Sequence, residues 1–280
     1  MKIRPLYLAL GIPAGIFLFL LLTLAFTPND AIKGALVRTA DNAGYTLAFT
    51  GFGKALPVGI KAGTLDISSA QGSLLTLRDA RVRLELLPLL TGKLRLAYRG
   101  KIGSGGSLQG DVTLGRAPGF SVDAHGIRLQ DIPFFTTVAE ARVKGELRVT
   151  GSIATRNKLA EGDLQLSVQG AELAGVKLGA MPLPDASYRQ IRGALRVEKG
   201  RAQLKSFTLD GEGIYVRLKG DTMLATPLGA SALNLVMEMM PQPAFLEKQK
   251  FVFLLLTKYQ TSPGAFSIPI HGTLAHPAIM

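Results

Sequence analysis

The sequence predicts a mainly β protein: an N-terminal transmembrane helix, then a large curved antiparallel β-sheet with one or two short helices. Three observations carry this. Residues 5–26 contain no charged side chain. After Tyr45 the apolar residues recur at every second position, in short runs separated by Gly and Pro. Only one later stretch, 241–264, has its apolar residues at helical spacing.

The opening "MKIRPLYLALGIPAGIFLFLLLTLAFTPND" has Lys2 and Arg4 before the apolar run, and Asp30 is the first charge after it. A run of this length suits a helix crossing a bilayer, which needs about 20 residues. The basic residues on its N-terminal side put that end in the cytoplasm and the remainder outside. A cleaved signal peptide is the competing reading, with "TLA" at 23–25 offering small residues for cleavage. The run exceeds the usual apolar core of about 7–15 residues, which favours a retained anchor. Residues 1–27 are thus read as a cytoplasmic tip and anchor. Residues 28–45 are read as a juxtamembrane helix, with Thr27 as N-cap, Pro28 at the first helical position and Gly44 as the stop. Residues 46–280 form the β-rich domain.

Within that domain the alternation is explicit. "RVRLEL" (81–86) sets Val82, Leu84 and Leu86 against Arg81, Arg83 and Glu85. "KLRLAY" (93–98), "RVKGELRV" (142–149), "EGDLQLSVQG" (161–170), "IYVRLK" (214–219) and "FSIPI" (266–270) repeat the pattern. Successive side chains of a strand point to opposite faces, so each run has one oily and one wet face. The short, Gly- and Pro-punctuated spacing is that of antiparallel meanders. "GTLDI", "GDVTL", "GELRV", "GDLQL" and "GALRV" echo one another at irregular intervals, one strand type used many times. The segment 241–264 reads as helix, although "FVFLLL" (251–256) alone also suits a buried strand.

Roughly a dozen such strands cannot leave their oily face in water. Each buried aliphatic or aromatic side chain contributes about 1.5–3 kcal/mol, against net stabilities of about 5–15 kcal/mol. One or two helices are too few to cover so wide a sheet. A sandwich, a closed barrel or a trough sheltering lipid or a partner all satisfy the pattern.

The chain has no Cys, which excludes disulfides, thiolate metal sites and a Cys nucleophile. Its three histidines are His125, His271 and His276, and the last two are five apart, on opposite faces of any strand. No nucleophile elbow, zincin or P-loop motif occurs. The glycine-rich "GSGGSLQG" (103–110) reads as a hairpin loop, and "LDGEG" (209–213) as a turn. The reading is a non-enzymatic protein without cofactor or metal. The net charge of +12 comes from residues scattered along the wet faces. It suits solubility or docking to anionic headgroups or an acidic partner, and nucleic acid is disfavoured.

The stretch "RVRLELLPLLTGKLRLAYRG" (81–100), a strand, a compact "LLPLLTGK" turn and a second strand, resembles the recurring element of the AsmA-like superfamily of envelope proteins. The closing "GTLAHPAI" (272–279), with Gly272 and Pro277, resembles their strand ending. Over nearly its whole length the chain is similar to the GspN family of the type II secretion system, through "GTLDI", "LLPLLTGK" and the late helix before "FSIPIHGTLAHP". The resemblance implies a single-pass protein of the bacterial inner membrane with a periplasmic β-domain, an accessory subunit beside other inner-membrane secretion subunits. The alternative it implies is AsmA-like lipid binding or intermembrane lipid transport. A groove of that kind would be lined by Leu84, Leu94, Leu147, Leu164 and Leu166.

Overall fold

A computed structural model describes residues 22–279 except 24, 25, 90, 158, 179, 180, 226 and 227. Most of the expected membrane segment therefore lies outside the described residues; among those described, no helix is long and apolar enough to cross a membrane.

The first helix, α1 (Asn29–Asn42), occupies the juxtamembrane stretch. Pro28, not Thr27, is its N-cap, and the Thr27 hydroxyl instead donates to the Thr23 carbonyl at 2.7 Å. The expected cap thus fails because Thr27 is spent on the preceding turn. Gly44, at φ 83°, ends the helix as its lack of a side chain allows.

The body is one large open antiparallel sheet. Its strands are β1 (Tyr45–Thr50), β2 (Gly53–Ala55), β3 (Gly59–Ser69), β4 (Gly72–Glu85), β5 (Leu94–Ile102), β6 (Gly106–Leu114), β7 (Gly119–Arg128), β8 (Arg142–Arg156) and β9 (Leu159–Ala174). After the separate two-residue hairpin β10 (Lys177–Leu178) and β11 (Met181–Pro182) come β12 (Ala186–Glu198), β13 (Arg201–Gly211), β14 (Ile214–Met223) and β15 (Leu233–Pro241). Then follow β16 (Gln260–Ser262), β17 (Ala265–Gly272) and β18 (Pro277–Ile279). From β3 to β15 each strand of the sheet pairs with the next one along the chain, a meander within a sheet of sixteen strands. Neither a facing second sheet nor closure of β1 onto the far edge is formed among the described residues, so of the three solutions the sandwich and the barrel give way to an open sheet.

The register lines the apolar residues into rungs. One runs Ile60, Val82, Tyr98, Gly110, Val122 and Gly151, and continues through Leu164, Leu195, Leu204, Gly220, Leu235 and Ile270. Glycine is required where a large neighbour lies across it. A Cβ on Gly110 would sit 2.1 Å from the Ser121 carbonyl and 2.6 Å from the Tyr98 hydroxyl. That hydroxyl donates to the Ser121 carbonyl at 2.8 Å.

Backbone bulges keep the rungs in phase. Between Arg78 and Arg81, β4 spends an extra residue around Asp79, at φ 50°. Leu77, opposite Ile102, therefore shares a face with Val82, opposite Tyr98. Similar slips fall beside Gly126 in β7, Gly170 in β9 and Lys205 in β13.

Three connections lie against the apolar face, and all leave the same end of the sheet. The β7–β8 connection holds α3 (Pro133–Thr137) and brings Leu129, Ile132 and Phe135. The β9–β12 connection brings Val176, Met181 and Leu183. The β15–β16 connection holds α4 (Pro243–Lys248) and α5 (Lys250–Leu255), bringing Phe245, Phe253, Leu256 and Tyr259. The one long helix expected over 241–264 is therefore two short ones, broken at Gln249 (φ −113°, ψ 27°). At the opposite end the connections bring no side chain to the buried cluster among the described residues: the β4–β5 link, 86–93, holds the single helical turn α2 (Leu86–Leu89), and the β14–β15 link, 224–232, holds one 3-10 turn.

The other face is polar. Cross-strand pairs such as Arg196–Asp163 at 2.9 Å and Arg201–Asp221 at 2.7 Å span it. Arg95 bonds Asp111 at 2.8 Å, and this guanidinium holds the Asp111 carboxyl below the usual carboxylate range. Lys61, Arg81 and Arg99 stand directly opposite one another on β3, β4 and β5. The structure gives none of the three an ion pair or side-chain hydrogen bond among the described residues. Like charges in that position repel.

Two outcomes follow. Gly110→Ala should lower stability by about 3 kcal/mol in chemical denaturation, because backbone must move to admit the methyl group. Arg99→Gln should raise the denaturation midpoint in low salt, and the gain should shrink at about 1 M salt, where repulsion is screened.

Candidate functional site

The apolar face is covered unevenly. Under the three connections the rung Val168, Ile191, Leu209, Val216, Met239 and Phe266 is closed from solvent. Ile268 and Leu256 have no exposed surface at all. Towards the opposite end of the N-terminal strands the cover stops. The rung Leu84, Leu96, Val112, Phe120 and Ile153 continues the same face there. Its members are half-buried except Phe120, which is 40% exposed. Leu94 and Leu114, opposite each other one step further out, are exposed.

All five leucines singled out in the sequence lie on this face, in two settings. Leu147 and Leu166 pack beneath the connections against the buried cluster. Leu84 and Leu94 sit at the uncovered end, and Leu164 lies on the middle rung, opposite Leu195. The face is thus one surface of two kinds: a closed core and an open apolar strip.

Where closed core and connection meet there is a recess of about 230 Å³. Leu173, Val176, Leu183 and Pro184 wall one side, and Tyr188, Phe207, Leu218 and Met237 are among those on the sheet side. The lining is almost wholly apolar. An apolar cavity of about 150 Å³ suffices for a benzene ring, so this one has room for a stretch of hydrocarbon. Burial pushes the Tyr188 hydroxyl up to about 12, the only ionisable group in that lining. Sequence reasoning did not find the recess. Phe207 and Leu209 are out of step with Leu204 until the bulge at Lys205 is known, and the wall segment 174–186 has no regular period. The alternation of Met181 and Leu183 with Pro182 and Pro184 was the one available sign.

A larger hollow, about 420 Å³, lies among Arg81, Arg83, Arg99, Gln109, Asp111 and Asp123. Apart from Arg81, half-buried and unpaired among the described residues, its charged side chains are exposed or already paired, and it lies between strand side chains on the polar face, so the apolar face is the stronger candidate. The histidines stay apart: His125 contacts Ser107 at 3.0 Å on the polar face, His271 lies in β17 and His276 in the turn beyond it. Among the described residues no group of three or more His, Asp or Glu could hold a metal ion. The stretch 103–105 is a hairpin turn between β5 and β6, and 212–213 a turn between β13 and β14, as expected.

Tyr188 gives the recess a pH signature. Its folded pKa lies above the ordinary value of about 10, so the native state holds the proton more tightly. The contribution is present below pH 10 and lost as pH rises towards 12. Between those values the parent should lose on the order of 2–3 kcal/mol more stability than Tyr188→Phe, read by denaturant titrations of both proteins.

Comparison with family models, with characterised proteins and with solved structures gives no match to this chain.

Proposed function

We propose that the chain is a non-enzymatic accessory subunit of the type II secretion system, anchored in the bacterial inner membrane by its N-terminal segment. Its sheet serves as a docking surface in the periplasm. The observation that carries this reading is the uncovered apolar strip from Leu84 to Phe120. It lies on a face that the same chain seals elsewhere with three dedicated connections. Contiguous exposed apolar surface of this kind marks an interaction site. The strip also includes the segment whose sequence resembles secretion-system relatives: β4 and β5 pair Val82 with Tyr98 and Leu84 with Leu96 around α2. The partners proposed are other inner-membrane subunits of that apparatus.

A second reading, an AsmA-like lipid-binding or lipid-transport protein, is favoured by one observation of its own, the apolar recess lined by Leu183, Phe207 and Met237. There the strip and the recess together shelter acyl chains.

Affinity purification of the full chain from membranes should recover inner-membrane secretion subunits, and the pair Leu84→Asp, Leu94→Asp should lose them while the denaturation midpoint stays near the parent's. Deleting the gene should lower export of folded enzymes. Intact export with altered outer-membrane permeability would instead favour the lipid reading. In that case native mass spectrometry of mildly extracted protein should show bound phospholipid, lost on Leu183→Asp.

A further inference from the structure

Residues 251–256 read FVFLLL, apolar all round a helical turn. A helix that is apolar on every side is normally buried on every side. In α5 the chain buries one side only. Phe253 is 5% exposed and packs its ring 5.2 Å from that of Phe266 and 6.1 Å from that of Phe245. Leu256 is sealed completely. On the other side Phe251 is 84% exposed, and Leu254 and Leu255 are each 58% exposed. These three stand at i, i+3 and i+4, neighbours on one helix face. The buried side holds them in place.

The surroundings of the patch are cationic. Lys248, Lys250 and Lys258 are exposed, and Glu247 is the only acid between 241 and 262. The structure gives Lys248 and Lys250 no ion pair or side-chain hydrogen bond among the described residues. The Lys258 ammonium lies 4.7 Å over the Tyr259 ring. Phenylalanine and leucine rimmed by lysine is the composition of elements that lie in the headgroup region of a membrane. Two copies of the chain meeting through this patch would set lysine against lysine, which disfavours self-association.

We propose that the exposed side of α5 is a second membrane contact, which seats in the surface of an anionic phospholipid bilayer. Phe251, Leu254 and Leu255 enter the boundary of the acyl region, and Lys248, Lys250 and Lys258 meet lipid phosphates. This contact is separate from the N-terminal segment and from the occupant of the strip at Leu84, so it stands or falls independently of both readings of function.

The absence of cysteine permits a direct test on the full chain, since one introduced cysteine is a unique label. The chain carrying Leu254→Cys, labelled with a fluorophore, is placed in lipid nanodiscs that contain nitroxide-bearing phosphatidylcholine, with or without phosphatidylglycerol. A label at Leu87→Cys in α2, a position 79% exposed, is the control. Melting curves matching the parent confirm that each labelled chain is folded. The label at 254 should be quenched in phosphatidylglycerol discs while the control is not. Removing phosphatidylglycerol, or introducing Lys248→Glu with Lys250→Glu, should lower the docked-to-free ratio on the order of tenfold, because each lysine near an anionic surface carries part of the attraction. The proposal is overturned if the label at 254 is not quenched, or is quenched no more than the control. It is also overturned if the quenching ignores both phosphatidylglycerol and the lysine reversals. Disulfide-linked dimers of the unlabelled Leu254→Cys chain without lipid quenching would overturn it in favour of a second copy as the occupant.

Discussion

A strand that stays hydrogen-bonded to both neighbours can hold its apolar side chains on one face only while the alternation is unbroken; any slip in phase must be absorbed by the backbone. In a meander this long the demand is severe, since one uncorrected slip turns every later side chain of that strand to the wrong side. The structure absorbs slips locally. Asp79, Gly126 and Gly170 take positive φ at or beside three bulges, and an extra residue at Lys205 makes a fourth. Leu77 is returned to the face of Val82, Ile127 to that of Ala124, Ala171 to that of Val168, and Phe207 to that of Leu204. The continuous rungs exist because of these corrections, and the recess and the open strip are both made of rungs.

This constraint explains which features could be read from residues alone. "EGDLQLSVQG" keeps strict phase through Val168, and its outward residues Asp163, Gln165 and Gln169 are exposed as the alternation requires. "IYVRLK" and "FSIPI" are as regular and were as legible. The bulge at Asp79 was not, because aspartate in a strand carries no unambiguous signal. Gly126 and Gly170 resemble the many other glycines that merely end a run. The antiparallel meander was therefore accessible, whereas the full number of strands, sixteen in the sheet against roughly a dozen expected, and the sharing of a face by Leu77 and Val82 were not. Leu84, Leu94, Leu147, Leu164 and Leu166 share one face of the sheet because all five belong to in-phase runs. The division between them was hidden, since cover depends on connections such as 174–186 whose residues have no period.

The long connections also account for the asymmetry between the two ends of the sheet. A chain that alternates direction at every strand can place cover only where a turn is allowed to lengthen. The links after β7, β9 and β15 all open at one end, and each delivers apolar side chains to the rungs nearest that end. The links at the opposite end, such as 86–93 with α2, deliver no side chain to the buried cluster among the described residues. Cover therefore fades along the strands, and Leu94, Leu114 and Phe120 are left where no connection extends.

That fading has an energetic meaning. Sealing a side chain such as Phe120 or Leu94 contributes about 1.5–3 kcal/mol when complete. Sealing the few on the strip would add an amount comparable with the whole net stability of an ordinary domain, about 5–15 kcal/mol. One further lengthened turn, between β4 and β5 or between β6 and β7, would suffice, and the chain shows at the other end that it can build such turns. Stability alone would favour that addition. An open strip is the cheaper arrangement only if something else covers it during the protein's working life, and this is the ground on which a docked subunit or a sheltered acyl chain rests.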